Sequence, residues 1–84
     1  MKALQEYVAQ KNSWNAIFGK AAYTLSSAQD RKEIARDIDC ELSPENLHCD
    51  GEISQAQAMA KYRKLSTVAK QLQKLDPTVE IYEL

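Results

Sequence analysis

One stretch of this chain limits its fold more than any other. Between Ile53 and Leu75, Ala58, Tyr62, Leu65, Val68, Ala69, Leu72 and Leu75 recur at spacings of three and four, the stripe that an α-helix buries against a core. Arg63, Lys70 and Lys74 fall on the opposite face. Both ends are marked. Ser54 and Gln57 have capping-box spacing, in which each side chain satisfies the other residue's backbone N–H, and Pro77 disfavours helical geometry at Asp76 before it. The pattern predicts a helix over 54–75.

Two further helices are expected upstream. Leu4, Tyr7, Val8, Trp14, Phe18, Ala21, Ala22 and Leu25 share one helical face, which predicts a long amphipathic helix over about 2–25. Its weak points are Asn12-Ser13 and Gly19, because a glycine in a helix interior costs about 1 kcal/mol relative to alanine. Ser26 and Gln29 repeat the capping spacing and open a helix over about 27–39, whose apolar face is thin: Ala28, Ile34, Ala35 and Ile38, with Leu42 just beyond. In the loop 40–53, Ser43-Pro44-Glu45-Asn46 reads as a cap followed by one turn, with Leu47 as its anchor, and Asp50-Gly51 reads as a turn. The tail 76–84 alternates in part from Val79 onward, as a short strand would, or as an extended segment laid over the helices. These elements make one domain, 1–84, of the all-α class: a small three-helix antiparallel bundle with a structured acidic loop between its second and third helices. The expected core is Leu4, Val8, Trp14, Phe18, Leu25, Ile34, Ile38, Leu47, Tyr62, Leu65, Ala69 and Leu72.

Charge is segregated along the chain. Residues 1–29 carry +2, 30–52 carry −5, 53–75 carry +5 and 76–84 carry −3, so the overall −1 conceals strong local fields. The helix dipole disfavours Asp37, Asp39 and Glu41 at the end of the second helix by roughly 0.3–1 kcal/mol each. A cationic neighbour is therefore expected, and the basic face of the last helix is the nearest supply. The candidate acidic surface is Asp37, Asp39, Glu41, Glu45, Asp50 and Glu52; the candidate basic surface is Lys61, Arg63, Lys64, Lys70 and Lys74.

Eighty-four residues with 44% hydrophobic and 27% charged side chains describe an ordinary globular composition. Met1–Asn12 holds no apolar run suited to a secretory signal, and no stretch approaches the roughly 20 apolar residues needed to span a bilayer. A cytoplasmic protein of bacterial or phage type is expected, with no membrane association. Cys40 and Cys49 are then expected as thiols; in an exported chain they would close one small disulfide loop.

The chemistry-bearing groups do not assemble into a known pattern. Placing Gly51 at the sixth position of a calcium loop puts Asn46, His48, Asp50 and Gln57 at the first, third, fifth and twelfth positions, where hard oxygens and a final bidentate Glu are required. Cys40, His48 and Cys49 are three soft ligands where structural zinc takes four, usually as two close pairs. His48 adjoins Cys49, but no third group is evident to orient a nucleophile and base. No phosphate-cradling glycine loop is present. The expectation is a non-enzymatic protein without cofactor or metal: a protein-interaction or regulatory module that binds a protein partner or a second copy of itself. The alternative is a nucleic-acid-associated protein that uses its basic last helix.

Overall fold

The computed structural model describes residues 2–43 and 54–83. Among the described residues the fold is all-α, with three helices: α1 over Lys2–Ile17, α2 over Ala28–Leu42 and α3 over Gln55–Leu75. The expected turn at 44–47, its anchor Leu47 and the Asp50-Gly51 turn lie outside the described residues.

α3 follows its sequence signals. Ser54 Oγ accepts from the Gln57 amide at 3.2 Å while Gln57 Oε1 accepts from the Ser54 amide at 2.9 Å, completing the capping box. Its apolar stripe buries Ala58, Leu65, Val68, Ala69 and Leu72. Tyr62 is only half-buried and Leu75, at the last turn, is 44% exposed. α1 and α2 both pack on this helix.

The direction of packing follows from a few long-range bonds. The Leu4 amide, an orphan donor of the first turn, donates to Gln71 Oε1 at 2.9 Å, so α1 starts beside the end of α3. Arg31 Nε lies 2.7 Å from Asp76 Oδ2, so α2 also starts beside the end of α3. Lys11, far along α1, reaches Glu41 at the end of α2. α1 and α2 therefore run the same way, each antiparallel to α3, instead of alternating along the chain.

α1 ends at Ile17, not near Leu25, and its end accounts for that parallel arrangement. Gly19 adopts φ +70, a left-handed conformation that glycine reaches without Cβ strain. The Lys20 amide donates to Asn15 O at 2.7 Å and the Gly19 amide to Ala16 O at 3.2 Å, the paired bonds of a Schellman C-cap. The chain then doubles back along α1. Asn12 holds the returning backbone at both polar groups of Tyr23, donating from Nδ2 to Tyr23 O at 3.0 Å and accepting from the Tyr23 amide at 2.7 Å. Asn15 Nδ2 adds a bond to Ala21 O at 3.3 Å.

This reversal corrects the expected core. Trp14 and Phe18, placed inside by their spacing, are 54% and 68% exposed, because the bundle ends below them and the return segment lies on another side of α1. Leu25 is half-buried against the core. The core gains Tyr7, Ala35, Leu42, Val68, Val79 and Ile81. The tail turns at 77–78 and 82–83, with the Val79 amide donating to Asp76 O at 3.2 Å. It contains no strand among the described residues, and Val79 and Ile81 lie in the core cluster.

α2 differs from its expected bounds at both ends. Its N-cap is Ser27, whose Oγ accepts from the Asp30 amide at 3.3 Å, one residue after the expected Ser26. It continues past Asp39 because a further turn brings Leu42 into the core. The tail is tied down at Asp76, whose carboxylate accepts from the Thr78 amide and hydroxyl and from Arg31. Arg31 also donates to Leu25 O at 2.8 Å, joining the return segment, α2 and the tail.

Two measurements test this packing. Leu4→Ala, at a fully buried position, should destabilise by about 2–5 kcal/mol, which at roughly 4–8 °C per kcal/mol lowers Tm by on the order of 10 °C or more. Phe18→Ala should stay within about 0.5 kcal/mol of the parent. The hydrogen bonds from Thr78 and the Arg31 guanidinium hold the Asp76 carboxyl at about 2, below its ordinary value. That contribution is present above about pH 4 and is lost as pH falls toward about 2. Tm measured against pH should therefore fall less steeply through this window in Asp76→Asn, which starts lower at neutral pH.

Candidate functional surfaces

The acids at the end of α2 find partners, but on α1, the return segment and the tail. Glu41 Oε2 lies 3.2 Å from Lys11 Nζ and accepts the Tyr7 hydroxyl. Lys11 Nζ in turn sits 5.5 Å from the Tyr7 ring centroid, within the range of a cation–π attraction. Asp37 Oδ2 accepts the Tyr23 hydroxyl at 3.0 Å, and Asp39 Oδ1 accepts the Glu83 amide at 2.9 Å. The expected counter-charge was the basic face of α3. It is instead one lysine of α1, two phenols and a backbone N–H, because Arg63, Lys70 and Lys74 stand on α3 opposite the stripe that α2 packs on, while Lys61 and Lys64 share a crevice with Glu41 without an ion pair. Glu45, Asp50 and Glu52 of the candidate acidic surface lie outside the described residues.

The candidate basic surface divides in two. Lys61 and Lys64 line a crevice of about 220 Å³ between α1 and α3, together with Glu6, Gln10 and Glu41 over a floor of Tyr7, Leu65 and Val68. Arg63, Lys70 and Lys74 stand at i, i+7 and i+11, with Thr67 between them, opposite the buried stripe. Tyr62, Arg63, Ser66, Thr67 and Lys70 surround a shallow depression on that side. Thr67 Oγ1 donates to Arg63 O at 3.1 Å, whereas Ser66 Oγ is buried without a hydrogen-bond partner. None of the five cations takes part in an ion pair among the described residues.

A third surface is built around residues that their spacing assigns to the core. Trp14, Ile17 and Phe18 project from the last turns of α1, with Ile17 70% exposed. The Trp14 and Phe18 rings stack at a centroid distance of 6.3 Å and an interplanar angle of 16°. The available signal was Gly19 followed by Lys20: read as a helix stop, it ends α1 before the apolar face can continue into the bundle. Ala21 and Ala22 are exposed as well.

Of the proposed soft metal ligands, Cys40 is exposed on α2, and His48 and Cys49 lie outside the described residues. Among the described residues no group of three or more His, Cys, Asp or Glu is placed to hold a metal ion. No helix among them is long and apolar enough to cross a membrane. Comparison of the chain with protein-family models, curated proteins and solved structures finds no match.

The phenols carry a pH dependence. Burial, reinforced by the hydrogen bond to Glu41 and the nearby carboxylates, raises Tyr7 far above the ordinary tyrosine value. Burial and the hydrogen bond to Asp37 push Tyr23 up to about 12. In both cases the fold favours the neutral phenol, so the stabilisation is complete below about pH 10 and is lost as pH rises above it. Alkaline unfolding followed by circular dichroism should begin above about pH 10, and tyrosine absorbance should show phenolate from these two residues appearing with loss of the helical signal. Tyr23→Phe should reduce stability at neutral pH and leave a shallower alkaline limb.

Proposed function

We propose that this chain is a small non-enzymatic protein-interaction module whose contact surface is the exposed end of α1. The observation that carries this reading is the projection of Trp14, Ile17 and Phe18 into solvent at 54%, 70% and 68% exposure, while Leu4, Tyr7 and Val8 of the same helix are buried. A contiguous apolar patch on a small domain is where a partner excludes water, and aromatic side chains supply large contact area with few rotamers to fix. The Schellman cap at Gly19 and the bonds from Asn12 and Asn15 to the return segment support it further. They hold the patch on an ordered helix end, so little ordering is required on binding.

The test compares capture of host proteins by the parent chain with capture by Ile17→Ser and Phe18→Ser after nuclease treatment. A discrete protein held by the parent and lost with either variant, at unchanged Tm, supports the reading. Equal retention by parent and variants, or capture of nucleic acid alone, refutes it. If the partner is a second copy, sedimentation equilibrium should give a dimer that Phe18→Ser dissociates. Trp14 is the single tryptophan, so its emission should shift to shorter wavelength as the patch is covered.

A further inference from the structure

We propose that the outer face of α3 binds the sugar-phosphate backbone of a nucleic acid, with Arg63, Lys70 and Lys74 on phosphates and one phosphate seated over Ser66 between Arg63 and Lys70. Three independent features lead to this. First, α3 holds five cations and no acid, although like charges four apart, as at Lys70 and Lys74, repel on a helix. The acids of α2 do not relieve that repulsion, since Asp37, Asp39 and Glu41 are engaged by Tyr23, the Glu83 amide, Tyr7 and Lys11. Lys61 and Lys64 share a crevice with Glu6 and Glu41, whereas Arg63, Lys70 and Lys74 make no ion pair among the described residues.

Second, the stripe has the reach of a backbone-tracking surface. From Arg63 to Lys74 is eleven residues, or ~16.5 Å at about 1.5 Å rise per residue, an axial length over which one strand of a duplex carries about five phosphates, one per ~3.4 Å of duplex axis. The face carries only charged and hydroxyl groups from Arg63 through Thr67 and Lys70 to Lys74. The one aromatic beside it, Tyr62 at the rim of the depression, is half-buried, so the stripe itself presents charge and hydroxyls rather than the large exposed anchors on which protein contacts depend, which favours phosphates over an acidic protein segment.

Third, the Ser66 hydroxyl lies at the depression without a hydrogen-bond partner. A buried hydroxyl left unpaired is an exception that native structures rarely keep. Turned outward, it would donate to a phosphate oxygen held between the Arg63 guanidinium and the Lys70 ammonium. The acidic overall balance is no obstacle. The Debye length is about 8 Å at physiological ionic strength, and the bundle is 20 Å across even at its thinnest, so acids on its far side are screened from a ligand on α3.

Fluorescence anisotropy with a labelled duplex DNA, a duplex RNA and a single strand of the same length tests this across about 50–200 mM salt. For three neutralised phosphates on B-form DNA, log K should fall against log salt with a slope of about −2.7. Each of Arg63→Gln, Lys70→Gln and Lys74→Gln should flatten that slope by about 0.9 at unchanged Tm. Ser66→Ala should weaken binding without changing the slope, since a neutral donor displaces no counterion. Phe18→Ser should bind as the parent does, which separates this surface from the α1 patch. Absence of binding at the lowest salt, a slope indifferent to the three substitutions, or equal competition by a polyglutamate peptide would overturn the proposal. Unaltered affinity in Ser66→Ala would overturn the seat at Ser66.

Discussion

The structure depends on one buried seam, the Leu65–Val68–Ala69–Leu72 stripe of α3. Both other helices and the tail bury their apolar side chains in the cluster it belongs to. α2 has too few large apolar residues, Ile34, Ile38 and Leu42, to form a core with α1 alone, and α1 contributes Leu4, Tyr7 and Val8. A chain of this length buries only about 60% of the surface its unfolded form exposes. Val79 and Ile81 are therefore a substantial addition, and the Asp76 anchor with Arg31 brings them into register.

Gly19 is the second determinant. By ending α1 in a Schellman cap it sends the chain back along the helix it has just left, and this lets α1 and α2 run parallel, each packed on α3. Parallel helices bring their like dipole ends together, so the junction of α1 and α2 gains little from backbone electrostatics. Side-chain groups supply the link instead: the Lys11–Glu41 pair, the Tyr7 hydroxyl on the same carboxylate, and Tyr23 on Asp37. The same reversal leaves Trp14 and Phe18 beyond the end of the bundle. Exposure of the aromatics and the parallel direction of α1 and α2 have a single cause.

What could be read from the sequence was what depends on local spacing. The α3 stripe, its capping box at Ser54 and Gln57, and the all-α class follow from 3.6-residue periodicity and hydrogen-bond geometry within four residues. The extent of α1 did not, because Ala21, Ala22 and Leu25 continue the apolar period of Trp14 and Phe18 across a stop. Periodicity records which face a residue would take in a helix; it does not record whether the helix is still there. Gly19 carried that information, and a glycine two residues past the last helical position outweighs an apolar pattern that alanine sustains weakly. The partners of Asp37, Asp39 and Glu41 were less legible still. They depend on helix direction, and direction was set by the reversal.

The separation of charge has its own physical logic. In the described part of the chain the acids at the end of α2, Asp37, Asp39 and Glu41, are satisfied by hydrogen-bond donors that bring little net positive charge, two phenols and one amide beside a single lysine. A phenol donates one hydrogen bond and keeps its apolar ring for the core, so Tyr7 and Tyr23 join α1 and its return segment to α2 without placing further ammonium groups at a half-buried contact, where desolvation is expensive. The consequence reaches the far side of the bundle. Among the described residues Arg63, Lys70 and Lys74 make no ion pair, and the repulsion between Lys70 and Lys74, four residues apart on one helix, persists. A fold that uses tyrosines to satisfy the acids at the end of α2 thus leaves Arg63, Lys70 and Lys74 without an ion-pair partner among the described residues.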